Sequence, residues 1–285
     1  MKSIKKPDFK VKDVLTASVS RSPRHSSSIT IISASAEIEN NETEYDTKKI
    51  KNELYTLPQK KIVDGVIDCE GLKNIYSNRM RNVENDARHY YDKILSSAPR
   101  GKCPYCTLRH ASTLDHYLPK SLYPLYSVTP INLVPACKDC NTGKLSEFPS
   151  CSEDETLHPY YDNVENERWL CMRVVNLHPI VFEYYVDAPD NWGDLMKKRL
   201  ETHLYSFNLN NQFSTHAQEE LDNRRVYMER LFLNGGNVGL KEFLYESYLS
   251  SLANSKNSWQ TAFYSGLYSS VDFIDNFSLL SGKRF

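Results

Sequence analysis

The sequence predicts a mainly helical α+β fold built around one small unit that is stapled by four cysteines. Helical spacing of apolar residues dominates most of the first hundred residues and the region from 194 onward. Residues 100–146 differ, because they hold five prolines and two C-x-x-C pairs and show little helical periodicity. We expect short strands and turns there, closed by one short helix and flanked by N- and C-terminal helices.

The flanking elements follow from local signals. Spaced apolar residues over 29–57 predict a helix that Pro58 ends. Two shorter helices are expected over 71–81 and 85–95, and a stretch rich in Val, Tyr and Phe over 168–186 indicates one or two strands. The C-terminal part is predicted as four helices, at 194–206, 214–233, 238–254 and 258–276.

These differences in composition and periodicity divide the chain into three parts. Residues 1–98 form a basic tail and a helical arm, 99–165 the cysteine-rich unit, and 166–285 a strand-helix region that packs on that unit or on a partner. Seven Lys or Arg and only two Asp lie between Lys2 and Arg24, so we expect residues 1–25 to be peripheral and solvated.

Composition limits the function classes. The 285 residues carry 35 Lys or Arg against 36 Asp or Glu, so bulk charge alone does not bind an anionic polymer. Mean hydropathy is −0.56, and no apolar run approaches the roughly 18 residues of a membrane span. The first residues are basic without a following apolar stretch, which disfavours a signal peptide and predicts a cytoplasmic protein.

Four of the seven cysteines form two close pairs. Each C-x-x-C turn can place its sulfurs at neighbouring corners of a zinc tetrahedron. Thirty residues, 107–136, separate the pairs, so something folds between them. A redox dithiol needs only one pair, and two pairs favour structural zinc over redox chemistry or chance pairing. The predicted zinc ligands are Cys103, Cys106, Cys137 and Cys140.

Polar residues lie between and after these pairs. Asp115 and His116 are adjacent on a predicted strand over 112–117, where a carboxylate and an imidazole suit a divalent ion and a general base. If residues 138–146 form a helix, Asn141 and Lys144 share one of its faces. Bound zinc would hold the start of that helix against the strand.

The order C-x-x-C, Asp-His, Asn-Leu, C-x-x-C-Asn, Lys over residues 101–146 resembles an HNH endonuclease domain of the ββα-metal, four-cysteine type. The arrangement of the whole chain is similar to bacterial phage-defence HNH nucleases of the Septu or retron-associated kind. The resemblance implies a ββα unit that hydrolyses DNA phosphodiester bonds.

The resemblance also implies a role for each motif residue. Asp115 and Asn141 correspond to ligands of a catalytic Mg²⁺ or Mn²⁺ ion, distinct from the structural zinc. His116 corresponds to the general base that activates water, and Asn132 to the residue that braces the loop and orients His116. Lys144 corresponds to a phosphate contact.

Local charge agrees with a nucleic-acid substrate, since six Lys or Arg and two Asp lie between Arg100 and Lys144. We expect Lys144, Lys120 and Arg109 to contact nucleic acid. The implied partners are DNA, an ATPase of a defence system and a second copy of the chain, with no membrane.

Two alternatives stay open. The zinc unit could be a non-catalytic module that binds nucleic acid or protein, although such a scaffold has no need of Asp115, His116 and Asn141. His158 could approach the active site or be structural. The unpaired cysteines, Cys69, Cys151 and Cys171, are expected to be small buried apolar residues.

Overall fold

Helices make up most of the computed structural model, which describes residues 1–59, 62–63, 67–144 and 149–280. These residues also form three two-stranded antiparallel sheets. The chain divides into two units, Met1–Asn163 and Val164–Phe285. A mainly helical α+β fold with small sheets is therefore confirmed. No helix within the described ranges is long and apolar enough to cross a membrane.

The first unit contains five α-helices and four strands among its described residues. In chain order these are α1 (Val11–Val19), α2 (Ser26–Ile50), β1 (Ile62–Val63), β2 (Ile67–Asp68), α3 (Cys69–Asn74), α4 (Arg88–Ser96), β3 (Thr113–His116), β4 (Leu133–Ala136) and α5 (Lys138–Gly143).

The N-terminal segment is folded onto this unit. Helix α1 buries Val11, Val14 and Leu15 against α2. Ahead of it, the amides of Lys2 and Ile4 donate to backbone carbonyls far along the chain, at 2.8 and 2.9 Å. The prediction of a peripheral tail is therefore wrong here, because apolar residues at helical spacing outweigh the positive charge around them.

Helix α2 ends earlier than Pro58 predicts. It stops at Ile50, and Asn52 adopts a left-handed backbone with φ of 55°. Asparagine tolerates this conformation, which commonly terminates helices. The helix is therefore terminated at Asn52, six residues before the proline.

Helix α3 continues directly into a π-helical turn, Ile75–Met80. Asp68 caps α3, since its Oδ1 accepts from the Gly71 amide at 2.8 Å. The turn closes where the Arg81 amide donates to the Tyr76 carbonyl at 2.9 Å. The helix predicted over 71–81 is present, but its second half is wound with i→i+5 hydrogen bonds.

Strands β3 and β4 pair antiparallel, with Asp115 opposite Val134 and His116 opposite Leu133. Helix α5 follows β4 after Cys137 alone. The predicted helix over 138–146 is present to Gly143, and its last two residues, 145–146, lie outside the described residues.

In the second unit, a β-hairpin packs against helices. Its elements are β5 (Leu170–Leu177), β6 (Ile180–Val186), α6 (Gly193–Ser206), α7 (Leu209–Asn254), α8 (Trp259–Ser269), α9 (Val271–Asp275) and α10 (Phe277–Leu280). Helix α8 lies close to β5 at Gly266, where a Cβ would collide with the Met172 carbonyl. Helix α7 is kinked at Gly236, whose φ of 57° and ψ of −150° separate the two helices that the sequence predicts there.

Candidate metal centre and the adjacent polar site

Four cysteine thiols converge in the first unit. Their sulfur atoms all lie within 4.8 Å of one another, and each of the four residues is buried. The sulfurs of Cys106 and Cys137, one from each C-x-x-C pair, are 3.9 Å apart. Thiolates bound to one tetrahedral zinc at about 2.3 Å are separated by similar distances. The cluster could therefore hold a structural zinc ion, with no position left for a substrate.

Backbone geometry brings the two pairs together. After the first pair, Thr107 takes a left-handed conformation with φ of 61°, and its amide donates to the Cys103 carbonyl at 2.8 Å. In the second pair, the Cys137 sulfur caps α5 by accepting from the Cys140 amide at 3.4 Å. The thiols compete for protons, and hydrogen bonding from Cys103 lowers the pKa of Cys106. A divalent cation would relieve this competition by binding thiolates.

Asp115 faces this cluster through a tyrosine of the first pair. Its side chain is almost fully buried on β3. The Oδ2 atom accepts from the Tyr105 hydroxyl at 2.9 Å and lies 3.4 Å from the Lys144 Nζ. Tyr105 is the third residue of the Cys103–Cys106 turn, so the metal centre and the carboxylate share one short segment.

Lys144 is held in place from two further directions. Its ammonium donates to the Tyr117 carbonyl and lies 4.4 Å from the centre of the Tyr117 ring. Burial lowers the pKa of Lys144, while the charge of Asp115 opposes that shift. The predicted phosphate contact is thus the counter-ion of Asp115 in this structure.

His116 points away from Asp115, as successive strand residues do. Its Nε2 lies 2.9 Å from the Ser127 carbonyl oxygen. Because a carbonyl only accepts, Nε2 carries the hydrogen and Nδ1 of the neutral ring holds the lone pair. The ring also meets Tyr76 edge-on, with 4.4 Å between ring centres.

The charge state of His116 follows from its surroundings. Burial is the largest cause that lowers its pKa to about 3, and the positive charges of Lys120, Lys144 and Arg81 act in the same direction. The hydrogen bond to Ser127 opposes them. The imidazole is therefore neutral at cellular pH, as a general base must be.

Asn132 lies directly before β4 and is completely buried. Its Oδ1 accepts from the Leu118 amide at 2.7 Å, and its Nδ2 donates to the Leu118 and Tyr126 carbonyls at 3.2 and 3.1 Å. Tyr126 immediately precedes Ser127, the partner of His116. The amide thus ties together both ends of the loop that orients the imidazole.

Asn141 lies on α5 above the start of β3. Its Nδ2 donates to the Thr113 hydroxyl at 2.9 Å and to the Leu114 carbonyl at 3.4 Å. Through these bonds the helix is attached to the strand one residue before Asp115. The structure therefore brings Asn141 to the edge of the Asp115 site and records no hydrogen bond between the two side chains within the described residues.

The other predicted nucleic-acid contacts differ in environment. Arg109 forms an exposed ion pair with Asp139 at 2.9 Å. Lys120 is half-buried, with its Nζ 4.9 Å from the centre of the Tyr76 ring. Of these two residues, only Lys120 therefore lies near the Tyr76 ring that contacts His116.

His158 lies in a buried cluster of tyrosine side chains. It is completely buried, and its Nε2 lies 3.3 Å from the Tyr45 hydroxyl. Its Nδ1 accepts from the Tyr160 amide at 3.2 Å, and its ring centre lies 4.2 Å from that of Tyr117 with the two planes tilted by 31°. The prediction that the unpaired cysteines are buried is wrong, since each is partly exposed: Cys69, Cys151 and Cys171.

Sequence reasoning missed several partners. Tyr105, Tyr76 and Ser127 contact Asp115 or His116, yet none belongs to a recognised motif position. A fully buried ion pair, Lys49 with Glu155 at 2.8 Å, also lies in this unit. Only Tyr105 carried a usable signal, namely its place inside a C-x-x-C turn.

Comparison with known proteins supplies a relative. The chain is 30% identical to protein ea31 of Escherichia phage lambda over 227 residues, which cover 75% of this chain and 76% of ea31. The chain belongs to the ea31 family. The name ea31 states no ligand or activity. No family model matches the chain, and no solved structure matches it.

Proposed function

We propose that this ea31-family protein is a metal-dependent endonuclease of the HNH type that hydrolyses phosphodiester bonds of DNA. One observation carries the proposal. A neutral, oriented histidine, His116, directly follows Asp115, whose carboxylate is buried, on a strand pair next to a four-cysteine cluster and α5. A zinc scaffold alone does not require this pair.

In this mechanism, His116 acts as general base through Nδ1. The Ser127 carbonyl fixes the tautomer by accepting from Nε2, and Asn132 holds the loop that carries Ser127. Nδ1 takes the proton of a water molecule whose oxygen bonds to phosphorus. The bond from phosphorus to the 3′ oxygen breaks, and that oxygen leaves with a proton from solvent. The products are a 5′ phosphate and a 3′ hydroxyl.

A catalytic Mg²⁺ or Mn²⁺ would be held by Asp115 and Asn141. The donor set fits, because a carboxylate oxygen and an amide oxygen are hard ligands. When bound, the ion supplies positive charge to the scissile phosphate and the departing oxygen. Lys144 contacts the same carboxylate, so the ammonium and the ion would compete for Asp115.

Plasmid nicking tests the proposal. Zinc-loaded protein is incubated with supercoiled DNA and Mg²⁺ or Mn²⁺ beside His116→Ala, with the exposed His89→Ala as matched control. Loss of a general base is expected to reduce the rate by about 10²–10⁴-fold, and the control should cleave normally. Equal nicking by wild type and His116→Ala would show that His116 is not the base.

The second candidate is a zinc module that binds nucleic acid or protein without catalysis. The buried cysteine cluster favours it, since a stable scaffold needs nothing more. It predicts retained zinc and ligand binding with no metal-dependent nicking by wild type. A role in phage defence beside an ATPase rests on the sequence resemblance alone, so the assay is repeated with the product of any neighbouring ATPase gene.

A further inference from the structure

The side chain that packs against His116 comes from a segment that precedes the cysteine-rich unit. The π-helical turn places Tyr76 against His116, with the two rings 4.4 Å apart at 72°. Tyr76 is 4% exposed, so its ring forms a buried surface beside the imidazole. π-Helical turns in proteins are frequently found at functional sites. The segment therefore belongs to the site in space, although Tyr76 and His116 are 40 positions apart in sequence.

One cation, Lys120, contacts this tyrosine, and a second, Arg81, lies at the end of the same π-helical turn. Lys120 Nζ lies 4.9 Å from the ring centre. Arg81 lies one π-helical turn after Tyr76, and its amide donates to the Tyr76 carbonyl at 2.9 Å. Lys73 is also near Lys120, but an ion pair with Glu70 at 3.5 Å offsets its charge. Within the described parts of the chain, no carboxylate lies within ion-pair distance of Arg81 or Lys120.

We propose that Arg81 and Lys120 form a phosphate-binding site beside Tyr76 and hold the nucleic-acid backbone next to His116. The proposal rests on the proposed function for its substrate class, a polynucleotide. It adds that recognition is made through phosphate alone and is therefore independent of base sequence.

The physical argument starts from uncompensated charge. Arg81 and Lys120 are close enough that the charge of Arg81, after burial, lowers the pKa of Lys120. Two such cations repel each other unless an anion lies between or beside them. A phosphate would remove this repulsion, and it accepts the forked hydrogen bonds of a guanidinium. Tyr76 is too buried to stack on a base, so next to this ring the groups that can bind nucleic acid are the two cations.

Equilibrium binding tests the site without catalysis. Fluorescence anisotropy of a labelled oligonucleotide is measured with zinc-loaded full-length protein carrying His116→Ala, in buffer without Mg²⁺ or Mn²⁺. Arg81→Gln with Lys120→Gln is compared with Arg24→Gln plus Lys51→Gln, which removes the same charge at exposed positions of the same unit. The first pair should weaken binding at least tenfold. It should also reduce the slope of log K against log salt by roughly 1.4 to 1.8, since each of two phosphate contacts contributes about 0.7 to 0.9.

Conservative variants guard against a folding artefact. Arg81→Lys with Lys120→Arg retains both charges and should bind within a few-fold of the parent, with unchanged zinc content. The Arg81→Gln with Lys120→Gln variant should bind two oligonucleotides of unrelated sequence with an equal loss of affinity.

Three results would overturn the site: no measurable binding by the parent at low salt, equal losses in the test and control pairs, or a loss confined to one sequence. The nuclease proposal fails separately. A wild type that binds through Arg81 and Lys120 but nicks no DNA would leave the phosphate site intact and refute catalysis.

Discussion

The ammonium of Lys144 lies 3.4 Å from the carboxylate of Asp115, and both side chains are largely buried. The Tyr117 carbonyl and ring hold the ammonium at this position. The protein thus places its own cation next to the residue that we propose as a metal ligand. A metal ion at Asp115 would have to displace that ammonium.

Removing that internal cation should strengthen metal binding. Lys144→Met is expected to raise the affinity for Mn²⁺ by roughly tenfold, equivalent to about 1.4 kcal/mol, because the ion no longer displaces an ammonium. The free Mn²⁺ signal in electron paramagnetic resonance measures binding in zinc-loaded protein. Lys138→Met, at an exposed position of α5, is the control, and equal affinities in the two variants would contradict the competition.

Loss of one zinc ligand should unfold the cysteine unit. Cys137→Ser is expected to lose zinc and to lower the Tm, because folding of this unit is linked to metal binding. Elemental analysis and calorimetry measure the two effects. Cys171→Ser, outside the cluster, should leave both unchanged. Full zinc content with an unaltered Tm in Cys137→Ser would show that the thiols do not hold a structural metal.

Acid should destabilise the protein through His116. The folded ring has a pKa of about 3, whereas an unfolded histidine titrates near 6.5. Between these values the unfolded chain binds more protons, so this stability is present above pH 6.5 and is lost as pH falls, by up to about 1.4 kcal/mol per pH unit. Urea unfolding at pH 7 and 5 should therefore show a smaller loss for His116→Gln than for wild type. Parallel losses would contradict the low pKa.

The buried ion pair should be costly to break from one side. Lys49→Met removes this cation from beside the Glu155 carboxylate at a site with no exposed surface, and a loss of about 3–5 kcal/mol is expected. Adding Glu155→Gln should restore part of it, because the amide oxygen still accepts from the Leu54 amide. Chemical denaturation measures both. Lys48→Met, from a partly exposed pair, should cost under about 1 kcal/mol.

The kink in α7 allows a comparison of neighbouring glycines. A Cβ at Gly235 or Gly236 would meet no atom within 4 Å, so steric crowding does not distinguish them. Gly236 has φ of 57° and ψ of −150°, a region that other residues rarely adopt. Gly236→Ala should cost about 1–3 kcal/mol in thermal or urea unfolding, while Gly235→Ala should not. Similar losses for the two variants would indicate that the backbone conformation at Gly236 does not require glycine.

Sequence patterns that span a few residues predicted the elements of this fold that local interactions determine. Two C-x-x-C turns led to the buried cluster, and apolar spacing located most helices. The N-terminal segment was misjudged, because its charge hides the burial of Phe9 and Val11. Long-range partners were not predictable: Lys49 and Glu155 are 106 positions apart, and neither periodicity nor composition specifies which distant residue will neutralise a buried charge.

Tyr105 connects two features that are usually considered separately. It lies inside the first cysteine turn and donates a hydrogen bond to Asp115. A chain that has not yet acquired zinc would lack the rigid turn that aims this hydroxyl. Zinc binding at the cysteine centre would then also fix the position of the neighbouring carboxylate, so under the proposed function DNA cleavage would depend on prior occupation of that centre.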